Sequence, residues 1–347
     1  MDALNQKHLQ AALQWLENSI KATNNRGSAA YYHLWRGWAS AYPETTGYLI
    51  ETLLAAHQQL KEEKYLHLAL DCAYWLLDLQ QQEGSFPGGL IGSKTPPQVF
   101  DTGQIVFGLV AAYEQTEEQA FLDAADRACA WLTTLQDPSG CWKKGGLYAD
   151  YTPAYYARVV WAMLLANRHL QKASIEAAAL KAYAYFQRQW TEKHSIKDWG
   201  FAPNAPALTH TIAYTLRGLW ESAVLLEDKT GMEAVRKALH QLQRIYGLKN
   251  RLAGAYDLNW QGNERFICLT GHCQLSILLR RVGNQVQEAD FSHFSKILLE
   301  NALSRQCHFP VRGIKGALPG SWPIWGAYMP LRFPNWGLKF LVEALLM

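Results

Sequence analysis

The phrase "TTGYLIETLL" at residues 45–54 returns fifty-six positions later as "DTGQIVFGLV" at 101–110, and the agreement runs on without a gap. Thr46-Gly47 falls on Thr102-Gly103, Leu53 on Leu109, Glu62 on Glu118 and Ala69 on Ala125. Trp75-Leu76 falls on Trp131-Leu132, Leu79-Gln80 on Leu135-Gln136, and Gly84 on Gly140. Self-similarity at a fixed period marks a repeat architecture, in which one unit cannot bury its apolar face alone. Each unit reads as two helices. The first ("GQIVFGLVAAY") is apolar nearly all round, as a helix packed on every side must be, and the second ("AFLDAADRACAWLTTLQ") keeps one apolar stripe and a charged face.

Weaker copies follow. "PAYYARVVWAMLLANRHL" pairs with "SIEAAALKAYAYFQRQW", "HTIAYTLRGLWESAVLL" with "MEAVRKALHQLQRIYG", and "LTGHCQLSILLRRV" with "FSHFSKILLENALSRQ". Thr270-Gly271 lies four whole periods from Thr46-Gly47. Two helices are left over: an outer-type amphipathic helix at residues 4–20 and an inner-type apolar one, "NWGLKFLVEALLM", at the C-terminus. An open solenoid needs polar terminal caps, and this terminal helix is too apolar to face water. The chain ends therefore pair as a sixth hairpin, and the expected fold is all-α: an (α/α)6 toroid formed by residues 1–347 as a single domain.

The formal charge of +3 and the lack of a basic block exclude a nucleic-acid partner of the phosphate-tracking kind. No stretch approaches the roughly 20 apolar residues that cross a bilayer, and the N-terminus lacks a secretory pattern. The six cysteines form no CxxC pair, so a reduced, cytoplasmic protein without cofactor or metal is expected. Fourteen Trp and 17 Tyr are a heavy load that fills a core or lines a sugar-binding cleft.

Loop lengths choose the working end of the ring. Connections from inner to outer helices are short, whereas those from outer to inner are long and rich in Gly, Pro and aromatics, such as "QQEGSFPGGLIGSKTPPQVF" and "HFPVRGIKGALPGSWPIWGAYMPLRFP". Loops beyond about 12–15 residues are usually functional or disordered, and these are too aromatic for disorder. They gather where the inner helices begin, so six helix N-termini face one basin, suited to an anionic or polyhydroxylated ligand. Tyr42, Glu44, Asp101, Asp150, Tyr151, Tyr155, Thr209, His210, Tyr214, His272 and Asn335 stand at these beginnings. Asp101 and Thr102 have N-cap chemistry, worth about 1 kcal/mol apiece. Glu44 is no preferred cap, so a structural role explains it less well.

"WLLDLQQQEGSF" and "WLTTLQDPSGCW" resemble the QW motif of terpenoid cyclases, in which Gln and an aromatic tie successive barrel helices; the acidic D-x-D-D and D-D-x-x-D motifs of terpene chemistry are absent. "YPETTGY", "FDTGQ", "LTH", "CLTGHCQ" and "NWGLKF" together resemble six-hairpin proteins encoded in bacterial exopolysaccharide and capsule gene clusters, among the six-hairpin glycosidases, polysaccharide lyases and uronyl epimerases. That resemblance implies carbohydrate chemistry, and with the basin of helix N-termini the expected partner is an oligo- or polysaccharide, an anionic one included.

A glycoside hydrolase needs two carboxyls, about 5–5.5 Å apart for retention and about 6.5–9.5 Å for inversion. Glu44 and Asp101 begin adjacent inner helices, expected about 8–10 Å apart, which favours inversion with Glu44 as acid and Asp101 as base. The alternative is lyase or epimerase chemistry at C5 of a uronic acid, with Tyr151, Tyr155, His210 and Tyr214 as the residues available for the base; a third reading is a non-catalytic saccharide-binding component of a polysaccharide assembly system. Candidate catalytic residues are thus Glu44, Asp101, His210 and Tyr151. Candidate substrate-binding residues are Trp38, Tyr42, Tyr155, Tyr214, His272, Trp322, Trp325 and Asn335.

Overall fold

The computed structural model describes residues 3–347. Helices α2 (Pro43–Leu60), α4 (Val99–Thr116), α6 (Ala157–Leu170), α8 (Thr209–Leu225), α10 (Leu269–Val286) and α12 (Asn335–Leu346) form an inner ring. Each packs on the next, and α12 packs back on α2, so the ring is closed. Outside them run α3 (Glu63–Leu79), α5 (Gln119–Thr134), α7 (Ala173–Gln187), α9 (Lys229–Lys249) and α11 (Ala289–Leu303), each against its preceding inner helix, while α1 (Ala3–Lys21) packs on α12. The fold is an (α/α)6 toroid.

The repeated Thr-Gly phrase is a close-packing device. A Cβ on Gly47 would lie 2.5 Å from the Ile105 Cα of α4, and one on Gly108 would lie 2.1 Å from the Gly47 carbonyl oxygen. Gly103 meets Val159 of α6, and Gly271 meets Thr209 of α8, in the same way. The threonine beside each glycine pins the incoming loop: Ser28 N–H donates to Thr46 Oγ1 at 2.9 Å and Phe86 N–H to Thr102 Oγ1 at 3.3 Å.

The glutamine of the QW-like phrase ties outer helices together. Gln80 Nε2 donates to its own loop at Gly84 O (3.0 Å) and to Ala124 O of α5 (2.8 Å); Gln136 donates likewise to Gly140 O (3.2 Å) and Ala178 O of α7 (2.8 Å). Gln306, which the repeat did not reveal, donates to Gly316 O (2.8 Å) and to His8 O of α1 (3.2 Å). The seam between the chain ends is thus fastened by the same tie as the interior junctions. Gly84, Gly140 and Gly316 all have positive φ, and a side chain there would strike the carbonyl of Arg127, Lys181 or Ala11.

The inner-to-outer turns also repeat: Lys61, Glu117, Gln171 and Gln287 each take a left-handed conformation and donate to the carbonyl four residues back. Short antiparallel strands, absent from the sequence reading, stitch successive long loops together. Tyr31–His33 (β1) pairs with Gly37–Trp38 (β2) and Arg332–Pro334 (β8); Ala207–Leu208 (β3), Ala255–Tyr256 (β4) and Gly262–Asn263 (β5) make a second set. Ile267–Cys268 (β6) and Ser321–Trp322 (β7) make a third. Two or three residues apiece carry no alternation for a sequence to show.

Candidate active site

At the end of the ring where the inner helices begin, a cavity of about 480 Å³ opens. α2 supplies Glu44 and Tyr48, and α4 supplies Phe100 and Asp101. The turn before α6 supplies Tyr155, α8 supplies His210 and Tyr214, and α12 supplies Trp336. Loop residues Gly89, Phe201, Tyr328 and Met329 complete the walls. Five of the six inner-helix beginnings reach it; that of α10 does not.

Asp101 is not a cap. The helix starts at Val99, and no side chain caps Gln98. The Asp101 carboxylate instead accepts from Gly89 N–H at 2.8 Å and from the Tyr42 hydroxyl at 3.3 Å. Burial raises its pKa to about 6, against the pull of these two donors. Glu44 is 4% exposed, and among the described residues no cation pairs with it. Burial and then the Asp101 charge push it well above the usual carboxylate range, the Arg158 charge and the Tyr48 hydroxyl opposing. Tyr214 donates to Tyr48 at 3.3 Å, so a hydroxyl chain runs towards Glu44. Of the two, Glu44 is thus driven the more strongly towards its protonated form, while Asp101, held by two donors, is the readier to ionise. Gly47 and Gly108 bring the backbones of α2 and α4 into contact beneath the two carboxyls.

His210 is buried, and burial lowers its pKa to about 3; its Nδ1 lies 2.8 Å from Gln274 Oε1. Burial raises the Tyr42, Tyr48, Tyr155 and Tyr214 hydroxyls, so all stay protonated.

Of the residues singled out from sequence, the structure gathers Glu44, Asp101, His210, Tyr42, Tyr155 and Tyr214 around the cavity. The others lie elsewhere. Tyr151 donates to Asp198 O (3.1 Å) and Gly200 O (2.9 Å), holding the loop before α8. Trp38 packs on Trp15 and Tyr32, with ring centroids 4.8 and 5.2 Å apart. Asn335 donates to Ser28 Oγ (2.9 Å) and Thr45 Oγ1 (3.0 Å), fixing the start of α12 to α2. His272 is buried near Arg305 and neutral, its pKa lowered by burial to about 3. Trp322 and Trp325 are exposed, on the loop that carries Tyr328. Tyr48, Phe201, Tyr328 and Trp336 were missed: the first lies one turn inside its helix, and the rest belong to loop or helix positions outside the repeat register.

No helix among the described residues is long and apolar enough to cross a membrane. No family model matches the chain, and no curated protein does. Solved structures do. An unsaturated glucuronyl hydrolase specific for heparin superposes with a TM-score of 0.80 at 13% identity, covering 99% of this chain and 96% of that one. An unsaturated glucuronyl hydrolase from Bacillus sp. GL1 gives 0.78 at 12% identity, covering 99% and 96%. Cellobiose 2-epimerase from Bacillus thermoamylovorans gives 0.74 at 13% identity, covering 98% and 99%. At such identities the likeness establishes the toroid that this chain shares with these carbohydrate-active enzymes.

Proposed function

We propose that the chain is a glycoside hydrolase that cleaves an oligo- or polysaccharide by paired-carboxylate acid–base catalysis. One observation carries the reading: Glu44 and Asp101, on adjacent inner helices, face one cavity from surroundings that separate their protonation states. Glu44 gives its proton to the glycosidic oxygen as the bond to the anomeric carbon breaks. Asp101 takes a proton from the water that bonds to that carbon. Atoms and charge balance, and the two carboxyls end with their states exchanged. The toroids of similar shape named for hydrolysis or epimerisation of sugars support the substrate class. A place in bacterial polysaccharide metabolism in the cytoplasm rests on the sequence resemblance and on cysteines that are all free.

The uronate alternative fits less well. A base for C5 needs a pKa near the working pH, whereas His210 is held at about 3 and the tyrosines are raised. The deciding test is a mass-spectrometric screen of oligosaccharides against the wild type and Asp101→Asn. Uptake of water, lost by a factor of about 10²–10⁴ in the variant, supports hydrolysis. Turnover within threefold of wild type, an unsaturated uronate, or deuterium at C5 overturns it.

A further inference from the structure

We propose that the sugar unit seated in this cavity is uncharged, a neutral pyranose and not a uronate. The inference rests on reading the cavity as a sugar site, and it narrows what enters. Among the described residues lining the cavity there is no Lys or Arg; its only carboxyl groups are those of Glu44 and Asp101, and its only basic side chain is His210. A uronate would set its carboxylate in this cavity against the Asp101 carboxylate, with no Lys or Arg in the lining to pair with. Two like charges about 5–6 Å apart at an effective dielectric of about 20 repel enough to weaken binding on the order of 100-fold.

The nearest buried cation is closed off. Arg158 is 1% exposed, its Nε donates to Gln104 Oε1 at 2.7 Å, and its guanidinium lies 4.8–5.1 Å from the ring centres of Phe107, Trp161 and Tyr214. Tyr214 thus stands between it and the ligand space. Lys94, Lys143 and Lys144, on the loops that bring Thr95 and Leu147 to the cavity, are exposed to solvent. The helix N-termini, expected to make the basin attractive to anions, already face two carboxyls of the protein itself. What the walls do offer is aromatic surface, with Phe100, Tyr155, Phe201, Tyr214, Tyr328 and Trp336 around the space. Such surface suits the apolar face of an uncharged ring.

The test is calorimetry and saturation-transfer NMR at pH 7 on the full chain, using disaccharide pairs that differ only in CH2OH against carboxylate at C6 of the non-reducing unit: cellobiose, maltose and laminaribiose with their glucuronyl counterparts. The neutral member should bind at least tenfold more tightly. In Asp101→Asn the uronyl affinity should rise about tenfold while the neutral affinity changes less than threefold. Uronyl binding equal to or tighter than neutral in the wild type, or failure of every neutral probe to bind, overturns the inference. Neutral binding without turnover sinks the hydrolase reading and leaves this one standing. Because the wild-type pairs suffice, the result does not depend on the variant folding.

Discussion

Glu44 and Glu343 stand on α2 and α12, neighbours in the inner ring, and their carboxyls have opposite surroundings. Glu44 faces the cavity with a second carboxyl nearby and no bonded cation, and its pKa is driven up. Glu343 lies towards the other end of α12 between Arg217 Nη2 and Lys339 Nζ, each at 2.6 Å. Burial alone would raise its pKa, but those two charges hold it well below the usual range. Arg217 also reaches Glu221 at 3.7 Å. Glu44 is 4% exposed and the Glu343 side chain 17%, so both are largely desolvated and the partner decides the ionisation. A buried acid left without a cation costs stability and is the pattern expected where chemistry is done; a buried acid between two cations holds helices together.

The sharpest way to break the contrast is kinetic. Glu44→Gln or Asp101→Asn should lower kcat/KM by about 10²–10⁴ with the fold retained, whereas Glu343→Gln should leave kcat/KM per folded molecule within about threefold. Steady-state rates on a substrate found by the screen, normalised to folded protein, decide it. Equal losses in both sets would erase the distinction.

Stability should show the reverse order. Glu343→Gln takes the shared carboxylate from Arg217 and Lys339 and leaves them only Glu221 and the nearby Glu51 charge, a loss of about 3 kcal/mol, the low end for a broken buried pair. Glu44→Gln replaces a group that its surroundings drive towards the neutral form and leaves no paired cation behind, so its Tm at pH 7 should match or exceed the wild type. Thermal melts of the two variants side by side measure this, and a lower Tm for Glu44→Gln than for Glu343→Gln would contradict it.

The pH dependence follows with opposite signs. Asp101 holds its proton more tightly in the folded state, at about 6, than in the unfolded chain, at about 4. Stability therefore falls as pH rises through that window, and Asp101→Asn should remove the fall. Glu343, depressed when folded, contributes fully above the ordinary Glu range and loses its contribution only as pH drops towards its low folded value. Melts at pH 4, 6 and 7.5 should show Asp101→Asn gaining on the wild type with rising pH, while Glu343→Gln stays below it throughout.

The two regions were not equally legible in the sequence. The ring was, because Thr-Gly and Trp-Leu…Gln…Gly recur for reasons of contact: glycine lets backbones touch, and glutamine bridges two carbonyls. Glu44 and Asp101 were legible because the repeat fixes where inner helices begin. The Arg217–Glu343–Lys339 cluster was not, since Arg217 and Glu343 lie 126 residues apart and nothing local announces that α8 and α12 point them at each other. Trp38, Tyr151 and Asn335 stand at the right end of the ring, yet they serve the loops. Position along the chain selects the rim, and only packing selects which rim side chains turn inward.

The finest test of the comparison is Tyr42→Phe. The Tyr42 hydroxyl, itself kept protonated by burial, donates to Asp101 Oδ1 at 3.3 Å and favours the charged form. Removing it leaves, among the described residues, the Gly89 N–H to donate to Asp101 and raises the Asp101 pKa above about 6. The bond is long, so its loss is worth about 0.5–1.5 kcal/mol, which moves a titration by up to about one pH unit. The acid limb of kcat/KM should shift upward by that amount, with the plateau at higher pH nearly unchanged. A purely structural Tyr42 would lower the plateau and leave the limb in place. A shift to lower pH would mean that Asp101 is not the group whose ionisation switches activity on.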